Sequence, residues 1–185
     1  MPSQTARFLA STALVVAVFV LSGARPTFAA DAQLDADAKA ALESLYQSSP
    51  AAKSLGESAK AILVFPKILK AGFIVGAQAG DGALVRGGET DGYYNIAAAS
   101  YGLQAGVQSF GYAMFLMTES AVEYLRTTSG FELGVGPSIV VVDAGMANTL
   151  STSTLKSDIY AFTFGQTGLM AGLGLQGTKI TKVKK

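Results

Sequence analysis

Gly72-Phe73-Ile74-Val75-Gly76 is the first of four copies of one pattern: glycine, a bulky apolar residue, two further residues, glycine. The others are Gly102-Leu-Gln-Ala-Gly106, Gly130-Phe-Glu-Leu-Gly134 and Gly168-Leu-Met-Ala-Gly172. In an extended strand residues i and i+4 share a face, so each unit leaves two bare patches on one side of a sheet. Glycine inside an element costs about 0.5–1 kcal/mol, so its repetition needs a compensating reason. Curvature, close approach of a helix and close approach of a ligand are the three candidates. The pattern indicates a glycine-rich β-scaffold.

Strand-like runs extend outward from this segment in both directions. Ile62-Leu63-Val64-Phe65 reads as a short buried strand closed by Pro66. Gly72–Ala79 and Ala83–Arg86 flank Gly80-Asp81-Gly82, which by residue type is a hairpin turn. A second turn, Gly87–Gly92, leads into strands at Tyr93–Ala99, Tyr101–Ser109 and Tyr112–Met117. Further strands are expected at Ser138–Val142, Ile159–Phe164, Leu169–Leu175 and Thr178–Val183.

Three helices are expected beside them. In Asp31–Tyr46, Leu34, Ala38, Ala41, Leu42 and Leu45 make one apolar stripe, and Ser48-Ser49-Pro50 ends it. Ser49 and Pro50 then serve as N-cap and first residue of a short helix to about Ser58. Thr118 caps a third, running to Thr127, with Val122 and Leu125 towards the core. The fold class is α+β, mostly β: a Gly-rich antiparallel sheet or barrel-like sandwich with N-terminal helices and one later helix.

The chain has 185 residues, the size of one domain with a leader. Residues 1–29 read as a signal peptide. Arg7 precedes the apolar run Thr12–Leu21, too short for the ~20 residues of a bilayer span, and Thr27 and Ala29 suit cleavage after Ala29. A retained membrane anchor is the alternative. Residues 30–58 form a helical segment and 59–185 a β-rich domain, folded as one unit. Leu21-Ser22-Gly23-Ala24 has the form of a lipoprotein box with Ala24 in the place of the cysteine that carries lipid, so an exported, non-lipidated protein of the periplasm or envelope is expected. Loss of Arg7 and Arg25 with the leader leaves 12 basic residues against 13 acidic ones. That near-neutral balance argues against a nucleic-acid partner.

With no His and no Cys, disulfides, thiol chemistry and His/Cys metal sites are excluded. Asp35, Asp37, Glu89 and Asp91 lack calcium-loop spacing. Gly172-Leu-Gly174-Leu-Gln-Gly177 spells a dinucleotide fingerprint, but the eight residues after it are β-patterned and Lys-rich where a helix is required. Ser153-Thr-Leu-Lys156 spells an SxxK motif without the further elements such enzymes need. No enzymatic activity and no cofactor are expected.

The segment from Ala59 to Phe73 stands apart, because Lys60, Lys67 and Lys70 punctuate an apolar run containing Phe65 and Phe73. Lysine stems can lie on nonpolar surface while their amines meet phosphate. One reading is a basic, apolar contact surface for anionic lipid head groups; the other is gatekeeping charge at a sheet edge. Lys179 and Lys182, with Lys184 and Lys185, are further basic contacts or a solvated tail.

Ala59–Lys67 followed by Lys70-Ala-Gly72-Phe73 resembles the opening of the SYLF lipid-binding domain. Tyr101–Ser109, Gly134-Val-Gly136-Pro137, Asp158-Ile-Tyr160-Ala-Phe162 and Gly165–Gly172 resemble its later segments, in the expected order. Eukaryotic members of that family are described as binding phosphoinositides and in some cases actin; bacterial members are exported envelope proteins, often lipoproteins. The chain resembles the bacterial branch. The resemblance implies a non-enzymatic phospholipid-binding protein, with Lys60, Lys67 and Lys70 on phosphate and Phe65 and Phe73 packing beneath or inserting. It implies an anionic phospholipid or membrane surface as partner and gives no reason to expect actin. A periplasmic structural or interaction protein using its Gly-rich faces is the alternative, and the oligomeric state stays open. The acidic face of the first helix (Asp35, Glu43) suits packing on the sheet better than contact with an anionic membrane.

Overall fold

In a computed structural model, residues 27–128, 131–132, 136–142, 156–168 and 178–183 are described. The local helix signals are realised. Helix α1 spans Thr27–Ser48, a turn longer at its start than its apolar stripe requires, and α2 spans Pro50–Ser58. The Ser49 side chain accepts the Ala52 N–H at 3.2 Å, so the cap satisfies one of the amides that a helix start leaves free. Helix α3 spans Glu119–Thr127, and Thr118 accepts the Ala121 N–H in the same way.

The β-structure is organised differently from the expected series of short strands. Strand β1 runs unbroken over Ala61–Arg86 and β2 over Glu89–Leu116, paired antiparallel from end to end. Pro66 does not end β1. It sits in a bulge between Phe65 and Ile68, where a proline can stay in a strand without a ladder hydrogen bond to donate. Gly80-Asp81-Gly82 is no turn either, since these residues pair with Ile96, Asn95 and Tyr94. The chain reverses instead at Gly87-Gly88, both with positive φ (60° and 88°), as a two-residue hairpin turn requires.

This long hairpin is folded in half. A Cβ on Gly72 would lie 2.6 Å from the Cα of Gly76, although residues four apart in a straight strand are about 13 Å apart. The register slips here between Phe73 and Val75, and Gly72 pairs with Gly106, whose φ is +141°. The first two glycine units therefore make one corner. Beyond it the arms close on each other: a Cβ on Gly80 would meet the Lys67 carbonyl oxygen at 2.8 Å, and one on Gly82 the Val64 carbonyl oxygen at 2.7 Å. The other two units lie partly outside the described residues, and the expected strand Leu169–Leu175 lies wholly outside them.

Four short strands extend the arms: β3 (Phe131–Glu132), β4 (Ile139–Val142), β5 (Ile159–Gly168) and β6 (Thr178–Lys182). The order is β3-β6-β2-β5-β4, with β1 on the other edge of β2. β6 pairs with the first arm of β2 and β5 with the second. The β4–β5 pair is parallel, an exception to the expected antiparallel sheet. The fold is α+β, mostly β, and its sheet is curled.

Each face of the sheet has its own core. Inside the curl, Leu63, Phe65, Ile68, Leu84, Ile96, Phe110, Tyr112 and Met114 pack with Ala121, Val122 and Leu125 of α3. On the outer face, Ala38 and Leu45 of α1 and Ala52 and Leu55 of α2 cover Ile62, Val64, Ala113, Phe115 and Phe162. Asp35 accepts hydrogen bonds from Thr90 Oγ1 (2.7 Å) and Tyr93 Oη (3.0 Å), which ties α1 to the start of β2. Of the two acidic residues named on α1, Asp35 is thus used for packing on the sheet, while Glu43 is exposed.

Candidate functional site

The bulge at Pro66 decides which side chains reach the surface. Phe65 points into the inner core, so a regular strand would send residues 67, 69 and 71 inward after it. The bulge reverses that phase. Ile68 and Lys70 turn inward, while Leu69 turns outward and is 51% exposed.

The residues singled out from the sequence are accordingly dispersed. Phe65 is fully buried, so packing beneath the surface is its role and insertion is not. Lys70 is also buried, at 3% exposure, and has a partner within the fold. Lys67 is exposed, at the bulge. Lys60 is exposed too, but seven residues earlier, roughly 20 Å along the strand. The Phe73 side chain lies outside the described residues. Lys179 and Lys182 are exposed on β6; Lys179 pairs with Ala97, itself paired with Ala79, in a row across the outer face.

What the outer face presents near the corner is apolar. Val75 is 61% and Val107 58% exposed, and Val107 pairs with Ala71, two residues from Leu69. Ala71, Ala77, Ala79, Ala97 and Ala99 are exposed around them. Helices α1 and α2 cover the outer face only over the far ends of the arms, where Ile62, Val64, Ala83 and Phe115 are buried. Among the described residues, the corner is therefore a convex apolar surface that no helix covers, with Lys67 at its margin and Lys179 on the adjoining arm. Asp81, on the same strand as Val75, is held by Asn95 Nδ2 at 3.0 Å. Leu69 escapes a sequence reading because its outward phase depends on the bulge, and Val75 because a second register shift lies between it and Phe73; a proline within an apolar strand is the signal that points to the first.

The inner face near the same corner is polar. Lys70, Gln78, Gln108 and Thr178 are all buried. Gln78 Nε2, Gln108 Oε1 and Thr178 Oγ1 have no hydrogen-bond partner, and neither do the hydroxyls of Tyr94 and Tyr112 deeper in the curl. Leaving a buried polar atom unpaired costs about 1–3 kcal/mol. Burial raises the pKa of Tyr94 to about 12 and that of Tyr112 further still, so both keep their protons.

Among the described residues, no helix is long and apolar enough to cross a membrane, and no group of three acidic residues is placed to hold a metal ion. A comparison with curated proteins finds no match. A scan against protein-family models matches residues 97–185 to Ysc84, described as "Las17-binding protein actin regulator". That family, the SYLF family, is one of lipid binding and actin regulation. The match takes in most of β2, α3 and β3 to β6, while α1, α2 and β1 precede it. From Ala97 to Lys185, just under half of the chain, the sequence is thus similar to the Ysc84 (SYLF) family.

Proposed function

We propose that the protein binds phospholipid surfaces, without enzymatic activity, through the uncovered outer face of the hairpin corner. The observation that carries the reading is the exposure of Leu69, Val75 and Val107 on one convex face beside Lys67. Isolated exposed apolar residues are ordinary, but a contiguous patch with basic residues at its margin suits an interface that is apolar inside and anionic at its surface. The three side chains enter the head-group region shallowly, and Lys67 and Lys179 contact phosphate. Each lysine near an anionic surface contributes about 1 kcal/mol.

The leader-like residues 1–29 support action in a bacterial envelope, and Ala24 supports attachment by this surface rather than by a lipid anchor. An exported protein would not meet actin, so the actin regulation in the family's description is not carried over.

Co-sedimentation with vesicles tests the reading. The protein is expected to pellet with phosphatidylglycerol-containing vesicles and less with phosphatidylcholine alone. The V75E/V107E double substitution should weaken pelleting at least about tenfold, equivalent to ~1.4 kcal/mol. Undiminished pelleting by that variant contradicts the site. No pelleting of the unaltered protein with either vesicle contradicts the function. Self-association lost on the same substitution, without lipid affinity, would instead make the corner a contact between copies.

A further inference from the structure

The folded hairpin places a polar cluster inside its corner. Gly72 touches Gly76 at the bend, and Gly80 lies against Ile68 four residues out on the opposite arm. Lys70 and Gln78 fall midway between those two contacts, one on each arm, both on the inner face. Gln108 pairs directly with Lys70. Gln78 pairs with Ala98, which pairs in turn with Thr178, so Gln78 and Thr178 flank a single methyl group about 10 Å apart. Along the strands the neighbours on this face are Gly72, Gly76, Gly80 and Gly106, which add no side chain, and then Ile68, Phe110 and Ile180.

Three of these residues, each more than nine-tenths buried, have a polar atom without a partner. They lie on three strands and face one place. With its amide turned either way, each glutamine can present an N–H donor, and Thr178 Oγ1 can donate or accept. Lys70, already partnered in the fold, brings further N–H donors to the same face. A group that satisfies them accepts several hydrogen bonds arriving from three strands. A tetrahedral oxyanion, whose oxygens point several ways, meets donors from three strands better than a planar carboxylate.

We propose that the inside of the corner is a binding site for a tetrahedral oxyanion, namely hydrogenphosphate or a phosphate monoester. The site does not depend on the outer apolar face, which lies on the opposite side of the sheet. It gives the glycine-lined corner a ligand as well as a shape.

Calorimetric titration of the full chain with inorganic phosphate, and separately with dihexanoyl phosphatidic acid below its micelle concentration, tests the proposal. Saturable binding of at least one probe is expected. Binding of the phospholipid alone identifies a lipid head group as the source, and comparable binding of inorganic phosphate identifies the free ion; either supports the site. The Q78M/Q108M variant keeps side-chain volume, removes two of the polar atoms and should weaken binding at least about tenfold. It should also unfold at higher temperature than the unaltered protein when no ligand is present. Thr178→Val, of matching shape, gives a second reading through a smaller loss if the double variant does not fold. The V75E/V107E variant should bind the soluble probe unchanged while losing vesicles, which separates failure of this site from failure of the outer face. No saturable binding of either probe, undiminished binding in the folded Gln and Thr variants, or loss of probe binding in V75E/V107E overturns the proposal.

Discussion

At Gly82 the two arms of the hairpin meet backbone to backbone, and no side chain fits between them. An added Cβ would lie 2.5 Å from the Phe65 ring and 2.7 Å from the Val64 carbonyl oxygen, and the carbonyl cannot rotate away as a side chain can. Gly82→Ala should therefore destabilise the protein by about 1–3 kcal/mol, seen as a lower urea midpoint. A midpoint equal to that of the unaltered protein would show that the arms do not close there. A second residue carries a pH dependence. Asp158 accepts from the Ser138 hydroxyl (2.7 Å) and N–H (3.0 Å) and from Thr118 Oγ1 (3.2 Å), and these bonds, Ser138's foremost, hold its carboxyl below the usual carboxylate range. Because the folded-state value is lowered, the stabilisation is present above the unfolded value of about 3.9 and is lost as pH falls through the folded one. Asp158→Asn should lower stability at pH 7 and flatten the acid limb of a urea-midpoint series. An acid limb as steep as that of the unaltered protein would contradict the account.

Between elements, one polar tie joins α1 to β2 through Asp35, Thr90 and Tyr93. Burial and then the bond to Asp35 raise the Tyr93 pKa to about 12. Tyr93→Phe leaves Asp35 with Thr90 alone and should cost about 1 kcal/mol, checked by thermal unfolding at neutral pH. An unchanged unfolding temperature would mean that apolar contact alone seats α1. The helices were legible because their signals are local: Ser49-Pro50 and Thr118-Glu119 lie beside the amides they cap. The strands were legible as β-structure but not in their limits. Gly80-Asp81-Gly82 has turn chemistry, yet its glycines serve a contact with Val64–Ile68, a dozen or more residues away, which no local window contains. Pro66 carried the same ambiguity, between a strand end and a bulge. That ambiguity spread to the site, since one extra residue exchanged the faces of Leu69 and Lys70. Lys67 was named from sequence and lies at the candidate surface; Leu69, Val75 and Val107 were not named.

Taken as a whole, the molecule is a long hairpin folded at a glycine corner, with helices covering the outer face of its far ends and leaving the corner bare. The central claim is that this bare corner is what meets the lipid. The absence of cysteine makes a direct test clean, because a single introduced thiol can carry an environment-sensitive dye without competing sites. The dye would be placed in turn at Val75→Cys and Val107→Cys on the corner, and at Lys53→Cys on the exposed face of α2. On addition of phosphatidylglycerol-containing vesicles, the account predicts a blue shift and increased intensity at positions 75 and 107 and an unchanged spectrum at 53. A response at 53 with none at 75 and 107 would place the membrane contact on the helices and contradict the claim.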